Sequence, residues 1–308
     1  VRVSLMRRPS HRAPEVAVLD ARGANERDAS AIAAGVPSRA LMQRAGAAAA
    51  AEIVRRHADR LESGVVVAAG PGNNGGDGWV VAHAMHSAGI HVRVVECGVA
   101  RTPDARAERE GALGAGVPFE VGAESLATGP ERLIVDALLG TGLSSGPLRG
   151  AIAEACHWLE GRRALGAALV ALDLPTGIDA STGDDAGAPT CESTITFGSI
   201  KRGHLVARAR CGAITVVDIG LGAHAATEHS ARLATDSWFV RELPPIVADA
   251  HKGTRGKVAI FAGGAGMAGA AILAARGALR SGSGLVRCLV APESVEAVQR
   301  AEPAALAA

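Results

Sequence analysis

Aromatic side chains are nearly missing from this sequence, which has no Tyr, four Phe and three Trp among 308 residues. A core built on rings is therefore excluded, and Val, Leu, Ile and Ala must fill it. Cysteine is sparse and unpaired in pattern: Cys97, Cys156, Cys191, Cys211 and Cys288 are scattered, odd in number and without C-x-x-C spacing. That argues against a disulfide framework or a zinc site and for reduced thiols in the cytoplasm. Excess charge is missing too, with a formal net charge of +1 and no basic stripe, which makes nucleic acid a poor partner. No apolar run reaches the length of a membrane span. The basic start, Val1 to Pro9, has no apolar stretch behind it and reads as a tail, not a signal peptide. The expectation is a soluble, cytoplasmic protein with no membrane partner.

What the chain does have is glycine, 39 residues of it, at its densest in Gly70-Pro71-Gly72-Asn73-Asn74-Gly75-Gly76-Asp77-Gly78. Before that stretch, Val65 to Ala69 is short, β-branched and glycine-bounded, as a buried strand is. After it, Trp79 to His86 reads as a helix closed by Gly89. A glycine-rich turn at a helix N-terminus lets backbone N–H groups approach a ligand closely. Gly70, Gly72 and Gly75 also satisfy the G-x-G-x-x-G dinucleotide fingerprint, and Glu96 closes the next strand where a dehydrogenase would grip ribose. The objection is electrostatic: Asp77 stands where a pyrophosphate would sit. Asn73 and Asn74 offer amides that suit a hydroxyl, a carboxamide or a cation. A dinucleotide-binding protein without further chemistry, whether dehydrogenase or sensor, stays as the alternative.

Read in order, Glu15 to Ala34 has interrupted helical spacing, and Pro37 opens a helix that ends at Arg55-Arg56. From Val65 on, apolar strands alternate with helices. Leu133 to Leu139 leads into the turn Gly140 to Gly146, after which Pro147 reads as a helix start. Ala168 to Leu172 ends at Asp173-Leu174-Pro175-Thr176-Gly177-Ile178-Asp179, and strands at Ser193–Phe197 and Ala213–Ile219 follow. This alternation implies an α/β fold: a Rossmann-like, three-layer, doubly wound and mostly parallel sheet. Ligands of such sheets bind at the carboxyl ends of the strands, where three polar turns fall: Asn73 to Asp77, Asp136 with the Gly140 turn, and Asp173 to Asp179. Asp136 lies inside an apolar run with no base near it in sequence, and a buried carboxylate needs a partner. With the Asn74 amide oxygen, the Thr176 hydroxyl and loop carbonyls it makes an all-oxygen set, which suits a hard cation.

Pro71 to Gly78, Val135 to Gly142 and Leu172 to Asp179 together resemble the NAD(P)H-hydrate epimerase family. Thr194 to Gly198, Lys201 and Asp218 to Leu221 fit its pattern as well, and the likeness runs from about Glu15 to Gly222. Thr176 departs from it, serine being the commoner residue there; both carry a hydroxyl. The resemblance implies exchange of the R and S forms of hydrated NADH and NADPH, with a potassium ion in the site. It implies substrate contacts from Asn73, Asn74, Gly75, Gly76, Asp77, Gly140, Thr141, Gly142, Leu143, Ser144, Ser145, Gly146 and Asp173. Potassium would lie on Asn74, Asp136 and Thr176. The substrate carbon is a carbinolamine, whose configuration is lost by expelling water or by opening the ring, and a carboxyl group can shuttle the proton either route needs. Asp77 and Asp173 are the candidates, unranked.

Past Gly222 the composition changes. His224 to Asp249 reads as a linker, and His251 to Ala308 resembles the opening of the ATP- or ADP-dependent NAD(P)H-hydrate dehydratase domain, with its ribokinase-like fold. So short a segment rarely buries an α/β core alone, and the downstream nucleotide site and catalytic aspartate of that family are not in it. The expected organisation is a tail over 1–14, an epimerase domain over 15–223, a linker over 224–250 and a truncated dehydratase segment over 251–308, inactive as a dehydratase. The expected partners are the small-molecule substrate and a second copy of the chain in a homo-oligomer.

Overall fold

The computed structural model describes residues 16–142, 146–221 and 231–308. They fall into two compact units, Val1–Trp238 and Phe239–Ala308, divided inside the stretch read as a linker.

The first unit opens with β1 (Ala17–Leu19), α1 (Ala21–Ala33) and α2 (Ser38–Arg56). Strand and helix then alternate: β2 (Val65–Ala69), α3 (Asn73–Ser87), β3 (Val92–Glu96), α4 (Pro103–Gly114), β4 (Phe119–Val121), β5 (Leu133–Ala137), α5 (Gly150–Ala164), β6 (Ala168–Leu172) and β7 (Ser193–Phe197). It closes with β8 (Ile200–Lys201), α6 (Arg202–Val206), α7 (Arg208–Cys211), β9 (Ala213–Val217) and β10 (Ala231–Arg232). Seven strands form one sheet in the order β4-β3-β2-β5-β6-β7-β9, every neighbour parallel. The order reverses between β2 and β5, so the crevice at their carboxyl ends is the ligand position such sheets provide.

The strands are apolar throughout because both faces are covered. Val65, Val67, Val135 and Val170 pack with Ile53, Trp79, Val81 and Met85 of α2 and α3. Their neighbours Val66, Ala68, Ile134 and Leu169 pack with Ala155, Cys156 and Leu159 of α5. The small sheet β10-β1-β8 ties the start of the unit to Lys201 through the Leu19–Lys201 register.

Several elements differ from the sequence reading. Residues 17–19 form a strand, not helix, because they find sheet partners in residues 200–201 and 231–232. Helix α3 begins at Asn73, so most of the glycine stretch is helix. A Cβ on Gly70 would overlap the Leu138 carbonyl, and one on Gly75 the Gly70 carbonyl, so close backbone approach explains these glycines. Helix α5 starts at Gly150 instead of Pro147.

In the second unit α8 (Asp236–Glu242) contains the division point, and β11 (Lys257–Phe261), α9 (Ala268–Arg280), β12 (Leu285–Leu289), α10 (Pro292–Ala301) and β13 (Leu306–Ala307) follow. Its three strands are parallel, with a small core of Ala271, Ala275, Val286, Cys288 and Val298. Among the described residues no helix is long and apolar enough to cross a membrane.

Candidate active site

A cavity of about 320 Å³ opens at the switch point. Gly72 just before α3, Asn73, Asn74 and Asp77 from α3, Leu138 to Gly142 after β5, and Asp173 after β6 line it. Lys201 and the α1 residues Asn25, Arg27 and Asp28 complete much of the wall. Of the substrate-contact residues named from sequence, Gly75 and Gly76 pack inside the fold instead, Gly76 against Met42. Gly146 is exposed and outside the lining, and Leu143, Ser144 and Ser145 lie outside the described residues.

Asp173 has the only positive φ, 63°, among the described non-glycine residues. Leu174 N–H donates to Leu172 C=O at 2.8 Å, which makes a γ-turn centred on Asp173. Such a conformation costs on the order of 1–3 kcal/mol and persists only when its surroundings fix it. They do. The backbone N–H of Asp173 donates to Ile195 C=O at 2.8 Å, and its carbonyl meets His204 Nε2 at 2.6 Å. His204 Nδ1 accepts from Lys201 N–H at 2.9 Å, so Nε2 is the donor. Burial, helped by the Lys201 charge, pushes His204 down to about 4 and keeps it neutral.

The Asp173 carboxylate is as firmly held. Lys201 Nζ donates to Oδ1 at 2.6 Å, Thr196 Oγ1 lies 3.1 Å from Oδ1, and Thr141 N–H donates to Oδ2 at 3.2 Å. Burial alone would raise its pKa; Lys201 outweighs that and holds it below the ordinary carboxylate value. Asp77 goes the other way. Burial first, then the charges of Asp173 and Asp28, push it well above the ordinary value. Two carboxyl groups in one cavity are thus driven apart, one toward the acid form and one toward the anion, which is the separation acid–base chemistry requires.

The supposed cation ligands are arranged in a chain. Asp136 is fully buried, but not unpartnered as the sequence suggested. Its oxygens accept from Thr176 Oγ1 at 2.7 Å, Thr176 N–H at 2.8 Å and Leu138 N–H at 3.2 Å. Burial nevertheless raises its pKa against those bonds, so the anion is under-compensated. Thr176 Oγ1 also accepts from Leu139 N–H at 3.0 Å, and a Cβ on the next residue, Gly140, would stand 3.4 Å from Asn74 Oδ1. Both amide atoms of Asn74 are buried and without a partner. Asn74 lines the cavity, whereas Asp136 and Thr176 lie behind its lining. The orphaned Asn74 amide oxygen and the buried Asp136–Thr176 pair are oxygen donors of the kind a hard cation takes.

Glu96 is the residue that decides against a plain dehydrogenase. It is buried, stands outside the cavity lining, and is gripped at both oxygens by Arg109 at 2.6 and 3.0 Å, so it is not presented to a ribose in the cavity.

The sequence profile described as YjeF-related protein N-terminus matches residues 38–203, more than half of the chain. The chain belongs to this family. Family members named bifunctional NAD(P)H-hydrate repair enzyme Nnr match beyond the profile. The one from Salinibacter ruber is 37% identical over 290 residues, covering 85% of this chain and 52% of the relative. The Escherichia coli one is 36% identical over 247 residues, covering 77% and 46%. The chain spans about half the length of these curated relatives. In the first case the share of this chain exceeds what residues 1–238 hold, so the likeness continues into the second unit. The crystal structure of yeast ynu0 superposes with a TM-score of 0.57 at 25% identity, over 65% of this chain and 87% of that one.

Sequence reasoning assigned no role to Asp28, Arg27, Thr196 or His204, and noted Lys201 only as part of a family pattern. None had a local signal: Lys201 reaches Asp173, 28 positions away, His204 meets the Asp173 carbonyl, 31 positions away, and Arg27 donates to Gly198, 171 positions away.

Proposed function

We propose that the first unit interconverts the R and S forms of hydrated NADH and NADPH, a cofactor-repair reaction, with Asp77 as the acid and Asp173 as the anion. The carrying observation is the opposed displacement of these two carboxyl groups in one cavity. The reacting carbon bears a hydroxyl and the ring nitrogen. If water leaves, Asp77 protonates the hydroxyl, the C–O bond breaks, and the nitrogen lone pair closes a C=N bond. The Asp173 carboxylate then faces the cation, and water adding to the other face returns a proton to a carboxylate. If the ring opens, a carboxylate takes the hydroxyl proton as the C–N bond breaks to an aldehyde, and the acid protonates nitrogen. Both routes need one acid and one anion, and the site supports both. Chiral chromatography of hydrated NADH incubated with the chain tests the reading; epimers that exchange no faster than in buffer would end it.

Potassium belongs to the same proposal, held by Asn74, Asp136 and Thr176. These residues would hold it through oxygen atoms, and when bound it would supply positive charge against the buried Asp136 carboxylate. The melting temperature should rise in potassium over equal sodium, and Asp136→Ala should abolish that response while Asp104→Ala keeps it. Equal melting temperatures in the two salts would count against a selective site.

The dehydratase half is a separate matter. Between His251 and Ala308 only Gly263 to Gly266 could cradle a phosphate, and of the acids after it Glu302 is paired with Arg276 and Glu296 with the exposed Arg300. We expect this chain to epimerise hydrated cofactor without dehydrating it. Recovery of NADH from its S hydrate by the purified chain with ATP or ADP, followed at the NADH absorbance, would show otherwise. A cytoplasmic setting and a homo-oligomer belong to the same proposal; the first is read by cell fractionation and the second by sedimentation.

A further inference from the structure

Three elements direct carboxyl groups at one small cavity: Asp28 from α1, Asp77 from α3 and Asp173 after β6. Two cations line it with them, and both are engaged. Lys201 Nζ is shared among Asp173, Thr196 Oγ1 and the Phe197 carbonyl, at 2.6, 2.9 and 3.2 Å. Arg27 donates to the carbonyls of Gly198 and Leu221 at 2.7 and 3.1 Å. Those two bonds pin α1, and with it Asp28, the next residue.

Asp28 is half-buried, and among the described residues no hydrogen bond or ion pair satisfies its carboxylate. It is also outside the stretch that the family profile covers. A half-buried carboxylate with no donor from the protein keeps its accepting capacity for a ligand bearing neutral O–H or N–H groups. A phosphate would do the reverse, adding negative charge beside the Asp28 and Asp173 carboxylates, whose nearby cations are spent. Size agrees with charge. About 320 Å³ is near the lower limit of the roughly 300–1,000 Å³ that encloses drug-sized ligands, and a dinucleotide is larger than those.

Building on the epimerase reading, we propose that this cavity recognises only the hydrated nicotinamide ring and its ribose. Asp28 accepts hydrogen bonds from their neutral donors, and the phosphates and adenosine stay outside. The adenylate half is then dispensable for turnover, and hydrated reduced nicotinamide mononucleotide is a substrate in its own right.

The experiment follows epimer exchange by chiral chromatography on hydrated NADH and on hydrated reduced nicotinamide mononucleotide, using the full chain and its Asp28→Asn and Asp28→Glu variants. The expected result is a kcat on the truncated substrate within about tenfold of that on hydrated NADH. Asp28→Asn should raise KM about ten- to a hundredfold on both substrates alike, the loss of a charge-assisted hydrogen bond, with a much smaller change in kcat. Asp28→Glu should recover part of that loss, and the melting temperature of Asp28→Asn should not fall, because no protein partner is lost. Exchange of hydrated NADH without exchange of the truncated form would overturn the inference and leave the epimerase reading standing. An unchanged KM in Asp28→Asn would overturn it as well. Exchange of neither substrate would remove the epimerase reading, and this inference with it.

Discussion

Asp77→Asn and Asp173→Asn should each slow epimer exchange by about 10²–10⁴-fold, the range that positioned general acids and bases supply. Their signatures should differ. In the wild type the rate should fall on the alkaline side as Asp77, displaced well upward, loses its proton. It should fall on the acid side only below the ordinary carboxylate range, where Asp173, held down by Lys201, gains one. Asp77→Asn leaves no proton to lose, so its residual rate should show no alkaline fall. Asp173→Asn should keep the alkaline fall, at lower pH, because one of the charges that raises Asp77 is gone. A pH–rate profile of the wild type and both variants reads all of this. Wild-type rates in both variants would place the proton shuttle elsewhere in the cavity.

Lys201→Met should cost about 3–5 kcal/mol of folding stability, the usual penalty for stripping one partner from a buried ion pair. The Lys201 side chain is 4% exposed, that of Asp173 is 11% exposed, and they meet at 2.6 Å. Without the ammonium, Asp173 keeps its strained φ of 63° and its burial but loses its main compensation. The double variant Lys201→Met with Asp173→Asn should therefore recover part of the loss, since no lone charge is left inside. Denaturant unfolding of the two single variants and the double one closes the cycle. A cost below about 1 kcal/mol for Lys201→Met would mean the pair behaves like an exposed one, whose contribution is that small.

Glu96 shows where reading the sequence alone goes astray. Its spacing from Gly70 suited a ribose-binding acid, yet Arg109, thirteen positions on, holds both of its oxygens. Asp136 shows a milder case. Its position inside an apolar run correctly marked it as buried, but its two shortest hydrogen bonds come from Thr176, forty positions away.

The sequence by itself determined the alternation of strand and helix, the parallel sheet, and the polar turns at the strand ends. These follow from local periodicity and from glycine placement, which are properties of consecutive residues. It also brought Asn74, Asp77 and Asp173 forward as candidates, because polar residues at the carboxyl ends of buried strands have few structural reasons to be there. Only the tertiary structure decided which aspartate is driven toward the acid and which toward the anion. That ranking depends on Lys201, which approaches Asp173 from the end of β8, and on Asp28, which lies in a helix before the first strand of the large sheet. Electrostatic displacement falls off with distance through space, not along the chain, so no spacing rule could have carried it.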